Sequence, residues 1–281
     1  MSLLSTRRST LLLALSASLG LAACGGGGGS SGTPVNSDPN GWNAVTTLKT
    51  TDNPVGTGAS ADTGKPVQVT YTGYIYDVRV ADTKGTKIDS NVGGTPYPFV
   101  IGANAVIAGF DQGTQGMKVG GKRTVTVPAA MAYGSTGSGT AVPPNAALVF
   151  DIELIAVDPN SWTTVTALGK QDTLVGAGAS GDVGKTATVT YTGYIYDKRV
   201  ANTKGTQFDS NVGKTGLQVK LGTGGTAGSV ITGFDQGIQG MKVGGKRTIT
   251  IPAGLAYGNA GQGSIPGGAA LVFDIELTAI N

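Results

Sequence analysis

Residues 69–93 read VTYTGYIYDVRVADTKGTKIDSNVG, and residues 189–213 repeat them with four changes in 25 positions. The opening of this stretch, Val67 to Thr72, alternates and is rich in β-branched residues, which predicts a half-buried strand. The doubling extends outward in both directions. Gly109–Gly134 returns as Gly233–Gly258 with five changes in 26 positions, and LVFDIEL occurs at 148–154 and 271–277. Asp38-Pro39-Asn40-Gly41-Trp42 returns as Asp158-Pro159-Asn160-Ser161-Trp162. The period is about 120 residues, the size of a domain rather than of a solenoid unit. A unit of that length can bury about two-thirds of its unfolded surface. The expected division is one domain over 41–157 and a second over 158–281, meeting at Asp158-Pro159 with almost no linker.

Each copy reads mostly as strands. Lys122–Val127 alternates and stops at Pro128, Leu148–Val157 forms a long closing strand, and Gly120-Gly121 marks a tight turn. One short helix is expected over Val106–Gln112, with apolar residues on one face. Its glycines make it a poor helix by propensity, so packing has to hold it. The predicted class is α+β: a twisted antiparallel sheet packed on one short helix, built twice.

Composition excludes several alternatives. Glycine supplies 48 of 281 residues without a Gly-X-Y period, so the chain is not collagenous. Charged residues make up 13%, too few for a coiled coil. Histidine is absent, which removes Ser-His and Cys-His catalysis and histidine metal sites.

The first 23 residues read as an export signal: Arg7 and Arg8, then an apolar run from Leu11, too short to span a membrane. Leu21-Ala22-Ala23-Cys24 resembles the lipobox of bacterial lipoproteins, which makes Cys24, the only cysteine, the expected lipidation site. The arginine pair leaves both the general and the twin-arginine export routes open. GGGGGSSGTP after Cys24 is a flexible tether, expected to be disordered through Asn40. The expected location is therefore outside the cytoplasm, lipid-anchored to an outer membrane facing the periplasm or to the cell surface. Removing residues 1–23 takes away two of the 20 basic residues, leaving 18 against 17 acidic ones. No basic stripe remains to suggest nucleic acid as a partner.

Two motif readings compete for the rest. Residues 116–122, GMKVGGK, fit the start of a phosphate-binding loop, but Arg123 stands where Ser or Thr would hold magnesium. A turn flanked by solvated basic residues is the expectation there. The aromatic series reads differently. It runs YTG at 71–73, KIDSN at 87–91, VIAGFDQGTQGM at 106–117, AYG at 132–134, VPPNA at 142–146 and LVFDIEL at 148–154, with a second set following. This order closely resembles the FKBP-type peptidyl-prolyl isomerases and covers nearly everything after the tether.

The resemblance implies a half-barrel sheet wrapped around a short helix, with an aromatic pocket between them that binds proline. In the second copy it implies a pocket of Tyr191, Phe208, Asp209, Phe234, Tyr257 and Phe273, with Leu217, Val230, Ile231 and Ile265 binding substrate. In the first copy the corresponding residues are Tyr71, Asp89, Phe110, Tyr133 and Phe150, with Tyr97, Val106, Ile107 and Val142. Tyr257 would donate to the carbonyl beside proline, Phe234 would floor the ring, and Asp209 would hold Tyr191. Such a reaction needs no cofactor, metal or nucleophile, because only a bond rotation is catalysed. Proline-containing polypeptides are the implied substrates, and macrolides the implied inhibitors.

The copies depart from the family pattern unequally. Ile88 stands where the family has phenylalanine, whereas Phe208 keeps it. Phe110 and Phe234 replace the floor tryptophan. The loop before the helix is IGANAVI in the first copy and LGTGGTAGSVI in the second, four residues longer. The second copy is therefore expected to be the more active isomerase. Two other readings stay open: FKBP-like modules that bind protein without turnover, and domains that are surface structure only.

Overall fold

The computed structural model describes residues 38–281. The signal segment, Cys24 and most of the tether lie outside the described residues. In the first repeat the strands are β1 (Lys49–Asp52), β2 (Pro66–Tyr76), β3 (Lys84–Ser90), β4 (Tyr97–Val100), β5 (Lys122–Val127) and β6 (Leu148–Val157), with helix α1 (Ala108–Thr114) between β4 and β5. The second repeat supplies β7 (Gly169–Leu174), β8 (Thr186–Tyr196), β9 (Lys204–Ser210), β10 (Leu217–Lys220), β11 (Lys246–Ile251) and β12 (Leu271–Ile280), with helix α2 (Thr232–Ile238). Each repeat builds a six-stranded sheet with one short helix, the α+β arrangement expected from the sequence.

The second sheet runs β7-β11-β12-β8, and the far edge of β8 is shared by β9 and β10. β9 pairs with Thr192–Tyr196 of β8, and β10 with Thr186–Val189, both antiparallel. The first sheet repeats this order with β1-β5-β6-β2 and with β3 and β4 on β2. Alternation is visible along β2, where Val67, Val69, Tyr71, Gly73 and Ile75 point inward.

The helix lies two residues later than its apolar pattern suggests. Ile107 and Ile231 stay extended, with ψ of 143° and 148°, so Val106-Ile107 and Val230-Ile231 belong to the approach and not to the helix. The glycines mark the face that meets the sheet. In α2, Gly233 and Gly237 lie one turn apart, and an added Cβ would run into Ile251 and Ile249 of β11. Gly109 and Gly113 meet Val127 and Val125 in the same way. Glycine costs helix propensity here, about 1 kcal/mol each, but permits backbone contact with the sheet.

An arginine locks each helix end. Arg247 donates from Nη1 to the carbonyls of Gly237 and Gln239, at 2.8 and 3.1 Å, and from Nε and Nη2 to Asp172. Arg123 does the same with Gly113, Gln115 and Asp52. A cation at a helix C-terminus meets the partial negative charge of its free carbonyls. This corrects the reading of Arg123 as a solvated flank of the GMKVGGK turn. The turn itself is present, closed by the Gly121 N–H on the Lys118 carbonyl at 2.9 Å.

Asp38 and Asn40, assigned from sequence to the tether, are tied into the first repeat. Asp38 accepts the N–H groups of Trp42 and Asn43, and the Asn40 carbonyl accepts the Val78 N–H. Trp42 then donates from its indole to the Tyr76 carbonyl at 2.7 Å, as Trp162 does to Tyr196. The repeated DPN-W motif is thus a clasp on the end of the longest strand. Among the described residues, no helix is long and apolar enough to cross a membrane.

Candidate functional site: an aromatic cavity between sheet and helix

The site in the second repeat starts from a bulge. Gly193 of β8 pairs with Asp209 and Tyr194 pairs with Gln207, which leaves Phe208 as the extra residue of β9. In a regular strand, neighbours 208 and 209 would point to opposite faces. The bulge lets both face the same cavity. Gly193 is what gives the rings room: an added Cβ would sit 2.7 Å from Phe208 Cζ and 2.7 Å from Phe273 Cε1.

Four aromatic rings then interlock edge to face. Phe234 of α2 meets Tyr191 at 5.3 Å and Phe273 at 5.0 Å between centroids, and Phe208 meets Phe273 at 5.6 Å with planes at 89°. These are favourable aromatic geometries, with an edge of one ring on the face of the next. The cavity they enclose measures about 300 Å³ and is completed by Leu217, Ser229, Val230, Ile231, Tyr257 and Gln262.

The polar groups are few. The Tyr191 hydroxyl donates to Asp209 Oδ2 at 2.5 Å, while Asp209 Oδ1 accepts the Ser210 N–H at 2.8 Å. Asn211 accepts the Tyr191 N–H and donates to the Val189 carbonyl, standing in for a missing strand partner. Burial pushes the Tyr191 hydroxyl well above its ordinary pKa, and the Asp209 hydrogen bond and charge add to this. Tyr257 is raised first by burial and then by the Asp209 charge. Both phenols therefore remain O–H donors at physiological pH.

The first repeat brings the corresponding groups together with different walls. Tyr71 donates to Asp89 at 2.6 Å, and Phe110 packs on Tyr71 and Phe150 at 5.3 and 5.2 Å. Ile88 occupies the bulge beside Asp89. Tyr97 and Phe99 replace Leu217 and Val219 on the neighbouring strand. Val106, Ile107 and Val142 are buried in the core, whereas Val230 and Ile231 are half-exposed at the cavity. Among the described residues, the Tyr133 hydroxyl is buried without a hydrogen-bond partner. Burial and the Asp89 charge raise its pKa, so it stays a donor lacking an acceptor. A group in that state costs about 1–3 kcal/mol until an acceptor meets it.

A family model for the FKBP-type peptidyl-prolyl cis-trans isomerases matches residues 58–155 and again 179–278. The chain belongs to this family. It is 37% identical to mouse peptidyl-prolyl cis-trans isomerase FKBP10 over 208 residues, covering 73% of this chain and 33% of the relative. It is 45% identical to Arabidopsis thaliana FKBP53 over 100 residues, 36% of this chain and 20% of that one. The chain spans about a third of the length of the FKBP10 relatives it matches. Among solved structures, the three FKBP domains of wheat FKBP73 align over 85% of this chain and 97% of that one, at 21% identity and TM-score 0.38. AtFKBP13 aligns over 39% and 91%, at 35% identity and TM-score 0.34.

Nine of the ten residues that FKBP resemblance assigned to the second site line the cavity. Ile265 does not: it is buried in the core, bridged through its backbone to Gln262, which lines the wall instead. Ser229 and Gln262 escaped the sequence reading. Ser229 adjoined Val230, and that adjacency was its only signal; Gln262 depended on a loop conformation that no local pattern encodes.

Proposed function

We propose that the second repeat catalyses cis-trans rotation of X–Pro bonds in exported proteins, and that the first repeat is the weaker site. The observation that carries this is the cavity walled by four interlocked aromatic rings, with the Tyr257 phenol and the Tyr191–Asp209 pair in its lining. Amide rotation faces a barrier of about 18–20 kcal/mol because resonance is lost on twisting. Uncatalysed X–Pro exchange takes tens to hundreds of seconds. The twisted bond has a smaller dipole than the planar amide, so an apolar enclosure favours it relative to water. With the proline ring on Phe234, the Tyr257 hydroxyl donates to the neighbouring carbonyl, and the edges of Tyr191, Phe208 and Phe273 meet the rotated carbonyl. Interactions stronger in the twisted state than in the planar one are what accelerate rotation.

The test uses the full chain and a proline peptide. Asp209→Ala with Tyr257→Phe should remove most of the rate, on the order of tenfold or more, because it deletes both the Tyr191–Asp209 hydrogen bond and the Tyr257 donor. Asp89→Ala with Tyr133→Phe should remove less than half. Equal losses would end the ranking of the sites, and no loss from either pair would end the isomerase reading. Binding of an unfolded chain without turnover would favour a binding module, a reading that Ile88 makes most relevant to the first repeat.

We further propose that Cys24 is lipidated and holds the protein on a bacterial membrane outside the cytoplasm, within reach of exported clients. The signal-like segment and the Gly/Ser tether support this. Cys24→Ala should shift the protein from the membrane to the soluble fraction; an unchanged distribution would exclude the anchor. Macrolides that seat on an aromatic floor should compete with the peptide at the second site.

A further inference from the structure

The longer loop of the second repeat is tied to the helix by a buried carboxylate. Asp235, 2% exposed, lies next to the floor residue Phe234 on α2. Its oxygens accept the Gly222 N–H at 2.9 Å, the Gly224 N–H at 2.6 Å and the Gln239 side-chain amide at 3.1 Å. Gly224 passes so close that an added Cβ would lie 2.5 Å from the Asp235 Cβ. The rest of the loop bonds to itself: Thr226 N–H to Thr223, Ser229 N–H to Thr226, and Gly225 N–H to Val230. The loop is therefore a fastened element and not a slack insertion. Its last residues, Ser229 and Val230, with Ile231, form one wall of the cavity.

The first repeat has the same acid, Asp111, on its helix, but only Ala103-Asn104-Ala105 between Gly102 and Val106. The second anchor, Gly224, lies in the added residues. We propose that Asp235 is a positioning residue: by fixing the added loop against α2 it sets a rigid wall that selects the residues flanking proline. This rests on the isomerase reading of the cavity. Asp235 does not line the cavity, so its action passes through Gly222 and Gly224 to Ser229 and Val230. Holding a wall fixed is what turns a binding surface into a discriminating one, because a mobile wall adapts to each side chain.

The test is residue-resolved NMR on the full chain, with the ring signals of Phe234 and Tyr257 reporting the second site alone. A panel of Ala-Xaa-Pro-Yaa peptides, varied on each side of proline, is titrated into wild type, Asp235→Asn and Gly224→Ala. Gly224→Ala displaces the loop while leaving the buried carboxylate in place, so it serves if Asp235→Asn fails to fold. The wild type should bind its best and worst peptides with affinities about tenfold or more apart, a span typical of a fixed pocket wall. Both variants should compress that span to less than about threefold, while the Gly222 amide exchanges at least about tenfold faster and the β8 and β12 amides stay protected. A folded variant that keeps the wild-type span overturns the inference and leaves the isomerase reading intact. A wild type that binds none of the peptides sinks both.

Discussion

In the first repeat the bulge of β3 carries Ile88; in the second the bulge of β9 carries Phe208. Everything that positions these residues is shared, including the glycine opposite, the tyrosine–aspartate hydrogen bond and the asparagine that ends the strand. What differs is the wall. In the second repeat Phe208 turns its ring against Phe273; in the first, Ile88 leaves that edge aliphatic while Tyr97 and Phe99 add aromatic bulk on the adjacent strand. The scaffold was thus copied closely and the cavity lining was not. A duplicated domain can keep its stability in the shared part while its two sites diverge in recognition.

The largest expected effect comes from the glycine under the rings. Gly193→Ala drives a Cβ into both Phe208 and Phe273, whereas Gly73→Ala meets Phe150 Cε1 at 2.8 Å and Ile88 Cγ1 at only 3.4 Å. Overpacking of a core costs about 1–3 kcal/mol, and the second repeat should sit at the upper end. Each repeat holds one tryptophan, so urea unfolding can be followed through Trp162 or Trp42 with the other replaced by phenylalanine. Equal losses in the two repeats would show that Phe208 does not crowd its glycine more than Ile88 does.

Exchanging the bulge residues gives the next effect. Phe208→Ile should lower second-site isomerisation, and Ile88→Phe should raise that of the first. An edge-to-face aromatic pair adds about 0.5–1.5 kcal/mol beyond its buried area, which is roughly twofold to thirteenfold in rate if it acts in the twisted state. An Ile88→Phe rate equal to wild type would remove Ile88 as the reason for the difference between the sites.

How far the sequence reached depends on where each feature is encoded. β5 and β6 were legible to the residue, because alternation and Pro128 are local signals. β1 and β7 left no such trace: every residue in them is exposed, so no buried face shows in their composition. The helix was legible as an element but not in its register, since Gly109 and Gly113 act through contact with β5 rather than through apolar spacing. At the site, the family pattern reached the aromatic rings and Asp209. It did not reach the bulge, which exists only once β9 is paired, or the grip of Asp235 on Gly224, which depends on the added loop folding back. The reading of Arg123 as a solvated flank fails for the same reason, because its partners are carbonyls that only the folded helix presents.

The smallest expected effect concerns those arginines, and it asks whether the two scaffolds are as equivalent as they look. Asp172 is held below the usual carboxylate range by hydrogen bonds from Arg247, and Asp52 likewise by Arg123. A carboxylate with a lowered folded-state pKa stabilises the fold above its unfolded value, near 3.9, and that contribution fades as pH falls through the lower folded value. Both aspartates are partly solvated, with side-chain exposures of 41% for Asp172 and 33% for Asp52, so each pair should contribute less than about 1 kcal/mol at neutral pH. Asp172→Asn and Asp52→Asn should therefore lower stability slightly at pH 7, and their gap to wild type should close as pH falls below about 4. Denaturant titrations at several pH values, read through the tryptophan of each repeat, check both points. A gap that persists at low pH would mean that the asparagine disturbs packing rather than removing charge, and a clear excess in one repeat would show that the arginine clamps have diverged along with the cavity walls.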